Sequence, residues 1–410
     1  MFKQLFKTEE TVQRHENGPV AESRAAYIEQ CSNQGYSQDL LRRLAAIHLR
    51  VARDLALDPP RHVPLPEVLG ALDRCPGKPA PKNGGKGSPR WQSHRKHTIL
   101  WLGQAGLLES TAPALRPCAA WIDDFECWLR RDRGCAEGTV GVYSRWVGEF
   151  LSRIPEADTI TVADLDLALR DKSAQGVSKQ TLRIYGTALR TFLRHAEKRG
   201  WCQPGLSEAV MLPRIPRQAS LPPIPSTEEI ERLLESAASD RPTDLRDRAI
   251  LLLLRGYGLR VGEVSALRLD DIDWDRARLQ IRRPKTGRHD SFPLSSTVGQ
   301  ALARYIREAR PRRPSRKVFL TLKAPFSPLG PSAISGLVHR RMQRIGVTGK
   351  RRGAHALRHA FARDLLAKGF AMHEIGECLG HRSPESTAYY AKVDLDALRT
   401  VADIDLEGLA

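Results

Sequence analysis

The sequence predicts a mainly α protein in which helical N-terminal domains are followed by a mixed α+β domain with one small antiparallel sheet. Three observations predict it. Apolar residues recur at helical spacing over most of the 410 residues, a single strand, turn, strand pattern lies at 279–294, and two Pro-rich stretches interrupt the periodicity. At roughly 100 to 200 residues per domain, this length accommodates two to four domains with sizeable cores. A composition of 41% hydrophobic and 27% charged residues excludes both wholesale disorder and a repetitive fibre.

The N-terminal helices come first. Tyr27-Ile-Glu-Gln, Leu40 to Leu55 and Leu65 to Arg74 are amphipathic. They loosely repeat Trp121-Ile-Asp-Asp, Val140 to Ile154 and Thr161 to Arg170, as a degenerate internal duplication would, although any two amphipathic helical regions can be matched this well. Cys75 to Ser88, CPGKPAPKNGGKGS, then favours an exposed segment. Trp121, Phe125, Trp128 and Leu129 open a second helical region, continued by Val140, Tyr143, Val147, Phe150 and Leu151 and by Leu182, Tyr185, Leu189, Phe192 and Leu193. Its basic residues Arg145, Lys172, Lys179, Arg183, Arg190, Arg194, Lys198 and Arg199 suit phosphate contacts or a solvated face equally well.

Pro213 to Pro225 cannot propagate a helix and reads as an interdomain linker. Ser226-Thr-Glu-Glu229 follows as a capping box, so a new domain begins there. Asp244 to Gly256 is almost wholly apolar past Arg248, which implies burial on most faces. Leu279 to Arg283 and Asp290 to Leu294 flank Pro284-Lys-Thr-Gly-Arg288 as two strands flank a turn, and helices return at 298–309, 332–345, 355–368 and 372–379.

Lys plus Arg total 65 against 47 Asp plus Glu, a net charge of +18 that calls for a polyanion, nucleic acid first. The longest apolar run, Ala249 to Leu254, falls far short of the ~20 residues that cross a bilayer, and Met1-Phe-Lys-Gln lacks a signal-peptide core, so a cytoplasmic protein with no membrane partner is expected. Seven scattered cysteines without a Cys-x-x-Cys pair argue against a disulfide framework and against a zinc ribbon.

Four segments of the last domain carry the chemistry. Gly258-Leu-Arg260-Val-Gly-Glu263 places an arginine where a buried helix ends; His355-Ala-Leu-Arg358 puts a histidine and an arginine on one helix face; Leu379-Gly-His381 ends a helix; Tyr389-Tyr390 comes next. Singly, each has a plainer account. Arg260 can pair with Glu263, Lys285 can be a solvated turn residue, the tyrosines can be core, and His355 with His359 has the spacing of two metal ligands but lacks the intervening Glu of the metalloprotease motif.

In their order and spacing, however, Arg260, Lys285, His355-x-x-Arg358, His381 and Tyr390 resemble the active-site signature of the tyrosine recombinase, or phage integrase, family of site-specific DNA recombinases. Gly-Leu-Arg-Val-Gly-Glu-Val-Ser-Ala-Leu-Arg-Leu is similar to the family's first box and Ala354-His-Ala-Leu-Arg-His-Ala-Phe-Ala to its second. Leu-Gly-His-Arg-Ser-Pro-Glu-Ser-Thr-Ala-Tyr-Tyr is similar to its histidine and nucleophile segment, where the nine-residue offset selects Tyr390. Ala360 departs from the usual Ser or Thr, and Pro284 from the glycine that often precedes the turn lysine.

The resemblance implies an enzyme that cuts and rejoins DNA through a 3′-phosphotyrosyl ester at Tyr390. Arg260 and Arg358 would grip the nonbridging oxygens, His381 would donate a further hydrogen bond, His355 would take part in proton transfer with the tyrosine, and Lys285 would protonate the leaving oxygen. It implies no metal and no other cofactor. Double-stranded recombination sites and a homo-oligomer on DNA, a tetramer in the synapse, are the implied partners, with accessory recombination proteins as a further option. The implied divisions are an N-terminal helical region at 1–110, a core-binding DNA-binding domain at 111–212, a linker at 213–225 and a catalytic domain at 226–410. A type IB topoisomerase uses similar residues, and a non-catalytic DNA-binding accessory protein could share the scaffold. Val393 to Ala410 is locally acidic, with Leu395, Leu398, Val401 and Ala402 at helical spacing; the residues alone favour packing on its own domain, whereas the resemblance implies docking on a neighbouring protomer.

Overall fold

The computed structural model describes residues 1–75, 89–109, 118–154, 159–215, 224–283, 287–348 and 352–380. Lys285, His381, Tyr390, the stretch 76–88 and the tail 393–410 therefore lie outside the described residues. The chain divides into two units, one gathering Met1–Arg61, Val68–Leu107 and Gln218–Ala410, the other His62–Glu67 and Leu108–Arg217.

The first unit begins with α1 (Phe2–Leu5), α2 (Glu9–Glu16), α3 (Ala21–Asn33), α4 (Gln38–Asp54), α5 (Leu65–Asp73, of which Leu65–Glu67 fall in the second unit) and α6 (Pro89–Gln104). Leu41, Leu44, Leu49 and Ala52 of α4 turn inward at helical spacing and are buried. Arg24 is fully buried among main-chain acceptors, donating to His15 O at 2.7 Å and Pro19 O at 2.8 Å. His48 is also fully buried, stacked on Trp101 at 4.6 Å, and neither of its ring nitrogens has a hydrogen-bond partner among the described residues. These helices join the rest of their unit through Arg313, which donates to Gln34 O at 2.8 Å and Asn33 O at 3.3 Å and lies over the Phe326 ring.

The second unit holds α7 (Ala119–Arg131), α8 (Glu137–Leu151), α9 (Val162–Ala174), α10 (Lys179–Arg199) and α11 (Leu206–Ala209). The predicted periodic residues Phe125, Leu129, Val140, Val147, Leu189, Phe192 and Leu193 form its core. α9 starts on a capping box between Thr161 and Asp164, and α10 stops at Gly200, whose φ of 73° suits glycine.

The C-terminal part of the first unit opens with α12 (Thr227–Glu235), capped by Ser226 and Glu229 as the sequence predicts. α13 (Pro242–Gly256) is buried on most faces and carries the core, with α14 (Val261–Ala266) packed beyond it. β1 (Ile272–Asp273), β2 (Arg278–Arg283) and β3 (Arg288–Pro293) form an antiparallel sheet in sequential order, with Ile281 opposite Asp290 and Arg283 opposite Arg288. α15 (Ser296–Arg304) then widens into a π-turn over Tyr305–Ala309, followed by α16 (Pro331–Arg344), α17 (Ala354–Ala367) and α18 (Met372–Leu379). All seven cysteines are free thiols. No described helix is long and apolar enough to cross a membrane.

Candidate active site

The site is built where three segments meet the end of α18. α13 finishes at a tight turn, and Gly258 there has a φ of 58°; a Cβ on it would fall 2.5 Å from Phe361 and 2.9 Å from Leu379. The turn sets Arg260 at the cap of α14, where its main-chain N–H donates to Glu263 Oε2 at 2.8 Å and its Nη1 to Glu263 Oε1 at 2.9 Å. The plain i,i+3 pair is thus real, but it is not the whole of Arg260. Its Nη2 reaches Gly380 O at 3.2 Å, across the chain from its own helix.

Arg358 arrives from α17 and is 4% exposed. Its Nη1 donates to Gly258 O and its Nη2 to Leu379 O, both at 2.6 Å. Arginines gather here because the last carbonyls of a helix have no intrahelical donor and carry partial negative charge. His355 lies one turn before Arg358 on the same helix and is exposed. The neighbouring His359 has its pKa lowered to about 4, by burial first and then by the fields of His355 and Arg358, so it is neutral at physiological pH. Among the described residues no group of three or more His, Cys, Asp or Glu side chains is placed to hold a metal.

Of the six residues singled out in the sequence, the structure describes Arg260, His355 and Arg358. Arg260 and Arg358 meet at one turn, with His355 on the helix that supplies the second. Lys285 lies between β2 and β3 in the sequence, and His381 is the next residue after Gly380 in the chain; both, like Tyr390, fall outside the described residues. Glu263 was read in the sequence as a partner of Arg260, but its second partner, Arg283, was not anticipated. Glu263 is 3% exposed and accepts from both Arg260 and Arg283. Arg283, 1% exposed, shares the inward face of β2 with Leu279 and Ile281. An arginine in phase with two apolar residues on a half-buried strand was the signal that could have revealed it.

In the second unit, Arg145 is exposed over the Trp146 ring at 4.5 Å, and the other seven basic residues separate into two groups. Lys172 is engaged with Glu149 at 2.6 Å and with the Trp146 ring, Arg190 with Val210 O, and Arg199 with Asp124. Lys179, Arg183, Arg194 and Lys198 stay exposed within about a third of the circumference of α10, at 100° per residue.

A largely helical body with a small sheet and two convergent arginines is what the sequence resemblance implies, and comparison with known proteins gives the class. Residues 226–396 match the phage integrase family. The chain is 41% identical to y4rA of Sinorhizobium fredii over 286 residues, 68% of this chain and 69% of y4rA. It is 31% identical to tyrosine recombinase XerC of Methylobacterium nodulans over 309 residues, 71% of this chain and 93% of XerC. Among solved structures, the XerH site-specific recombinase on palindromic difH substrate has a TM-score of 0.54 at 21% identity, covering 69% of this chain and 84% of that one. A lambda integrase tetramer on a Holliday junction has a TM-score of 0.53 at 19% identity, covering 76% and 90%. At these identities the two structures show a common fold. The chain belongs to the phage integrase family and is a tyrosine recombinase.

Proposed function

We propose that this recombinase cuts and rejoins DNA at specific sites with Tyr390 as nucleophile and Arg260, Lys285, His355, Arg358 and His381 around the scissile phosphate. The observation that carries the proposal is the meeting of Arg260 and Arg358, from separate segments, at the carbonyls of Leu379 and Gly380 directly before His381. In the proposed step the Tyr390 hydroxyl oxygen attacks phosphorus and its proton passes to His355. The bond from phosphorus to O5′ breaks, the electron pair stays on O5′, and that oxygen takes a proton from Lys285. The product is a 3′-phosphotyrosyl ester, and attack on it by the 5′ hydroxyl of a partner strand reverses the step, so resealing needs no nucleotide hydrolysis. Two planar guanidinium forks match the charge that grows on the nonbridging oxygens.

The proposed division of labour gives residues 226 onward the chemistry and the second unit the grip on the duplex. The exposed stripe of Lys179, Arg183, Arg194 and Lys198 supports phosphate contacts by α10. Exchange between two sites of two half-sites each calls for four copies on DNA, and the proposed setting is movement of a mobile element in the cytoplasm.

A nicked half-site that traps the cleaved strand tests this. The wild type should give a covalent protein–DNA adduct on a denaturing gel, in EDTA as well as in magnesium. Tyr390→Phe should give none while retaining site binding in a mobility-shift assay, and Arg358→Ala should cleave about 10²- to 10³-fold more slowly, as loss of an oxyanion donor does. An adduct kept in Tyr390→Phe but lost in Tyr389→Phe would move the nucleophile by one residue.

A further inference from the structure

One buried charge beside the site has no part in the proposed cleavage step. The guanidinium of Arg283 donates through Nη1 to Leu379 O at 2.8 Å and to Glu263 Oε1 at 3.4 Å, and through Nη2 to Cys378 O at 2.8 Å. Its Nε pairs with Asp290 across the hairpin. The approach to α18 is close enough to dictate a residue there: a Cβ on Gly380 would lie 2.5 Å from the Arg283 Cζ. One side chain therefore ties together three things: the last residue of β2, the end of α18, and the carboxylate that also holds Arg260.

Two of the tied points stand just before a residue of the site in the chain. Lys285 comes two residues after Arg283, so covalent geometry keeps their Cα atoms within about 7 Å. His381 comes one residue after Gly380. A hydrophobic residue at 283 would fill the same space without fixing the angle between strand and helix. A lysine would supply one point charge in place of a planar fork that meets acceptors in several directions at once.

We propose that Arg283 is a positioning residue for cleavage: it holds the strand leading into Lys285 in register with the turn leading into His381, so that the proton donor faces O5′ while Arg260 and Arg358 hold the phosphate. The inference rests on Lys285 as the proton donor, and a substrate whose leaving group needs no proton separates the two. Single-turnover cleavage would be measured on an ordinary site and on one with sulfur in place of the bridging O5′, for wild type, Arg283→Met, Arg283→Lys and Lys285→Ala.

Arg283→Met and the charge-retaining Arg283→Lys should bind the site as wild type does. On the oxygen substrate Arg283→Met should cleave about 10²-fold more slowly, the size of effect expected from a misplaced group, with Arg283→Lys slowed less. On the sulfur substrate both should return to within about threefold of wild type, as Lys285→Ala should. Rescue of Lys285→Ala without rescue of the Arg283 variants would overturn the positioning role and leave Lys285 as donor. Failure to rescue Lys285→Ala would instead remove the donor itself. If Arg283→Lys, the variant least disturbing to the fold, cleaves both substrates at the wild-type rate, Arg283 serves stability alone and the proposal is wrong.

Discussion

A guanidinium taken out of water needs a full set of acceptors, and Arg341 on α16 has one. Its Nε donates to Asp247 Oδ2 at 2.8 Å, its Nη1 to Ser236 O at 2.6 Å, and its Nη2 also pairs with Asp244, while the arginine and Asp247 are each 6% exposed. Burial works against the charged carboxyl of Asp244, but hydrogen bonds from Ser239 and Arg341 outweigh it and its pKa is lowered. Removing the cation leaves Asp247 with Arg246 and Asp244 with Ser239 but takes a charged donor from each, so Arg341→Ala should cost about 1.5–3 kcal/mol of stability, measurable by urea unfolding. A loss below about 1 kcal/mol would mean that water enters and solvates the pair. At this scale the sequence was legible where a residue's neighbours lie within a few positions. The Arg260 and Glu263 pair could be read directly, whereas the second partner of Glu263 lies on a strand that only folding brings near. Arg283 escaped notice because three of its acceptors are main-chain or distant carboxylate oxygens, which no local pattern marks.

Among the elements, α12 was the most fully legible, since its start signal consists of two side chains bonding each other's backbone. Ser226 accepts from Glu229 N at 3.2 Å, and Glu229 Oε2 accepts from Ser226 N at 2.9 Å. Ser226→Ala should lower stability by about 1 kcal/mol, seen as a lower urea midpoint with an unchanged slope. A changed slope would indicate that the cap also orders the preceding chain in a way the helix alone does not explain. The helices of the C-terminal part stand where periodicity put them, because each buries one apolar face. β3 begins two residues earlier than the alternation suggested: its first residues, Arg288 and His289, are polar, and cross-strand pairing with Arg283 and Arg282 defines them as strand. The helix predicted through Ala309 gives way at Tyr305 to a π-turn closed by Arg310 N donating to Tyr305 O at 2.8 Å, a change of hydrogen-bond register that leaves no mark on an apolar pattern.

For the whole molecule, the buried histidines set the response to pH. Burial first, then the nearby His97, Arg24 and His94, drives the pKa of His48 well below its usual value. His97 is lowered too, and His15, beside Arg24, Arg14 and Arg53, sits at about 4, as does His359. All four are depressed in the folded chain, so the stability they contribute is fully present above the unfolded value near ~6.5 and is lost as pH falls from there toward about 4. Each adds up to about 1.4 kcal/mol per pH unit to that slope. The melting temperature should therefore drop between pH 7 and pH 5, and His48→Phe, which keeps a flat ring against Trp101, should make the drop shallower; an unaltered slope in that variant would show that His48 is protonated without unfolding. Grouping of the N-terminal helices with the C-terminal part was not legible, and the reason is physical. Arg313 finds the carbonyls of Asn33 and Gln34, and every residue offers the same carbonyl.

The carbonyls at the end of α18 also bear on entropy. A free arginine on a surface samples many rotamers, and pinning it on a ligand removes freedom equivalent to about 2 kcal/mol per side chain. The bonds that hold Arg358, and Arg260 through Gly380, are made within the chain itself. Their ordering cost therefore falls on folding, so in the proposed cleavage step a scissile phosphate would meet cations with their entropy already surrendered, and more of the attraction would remain for gripping the strand.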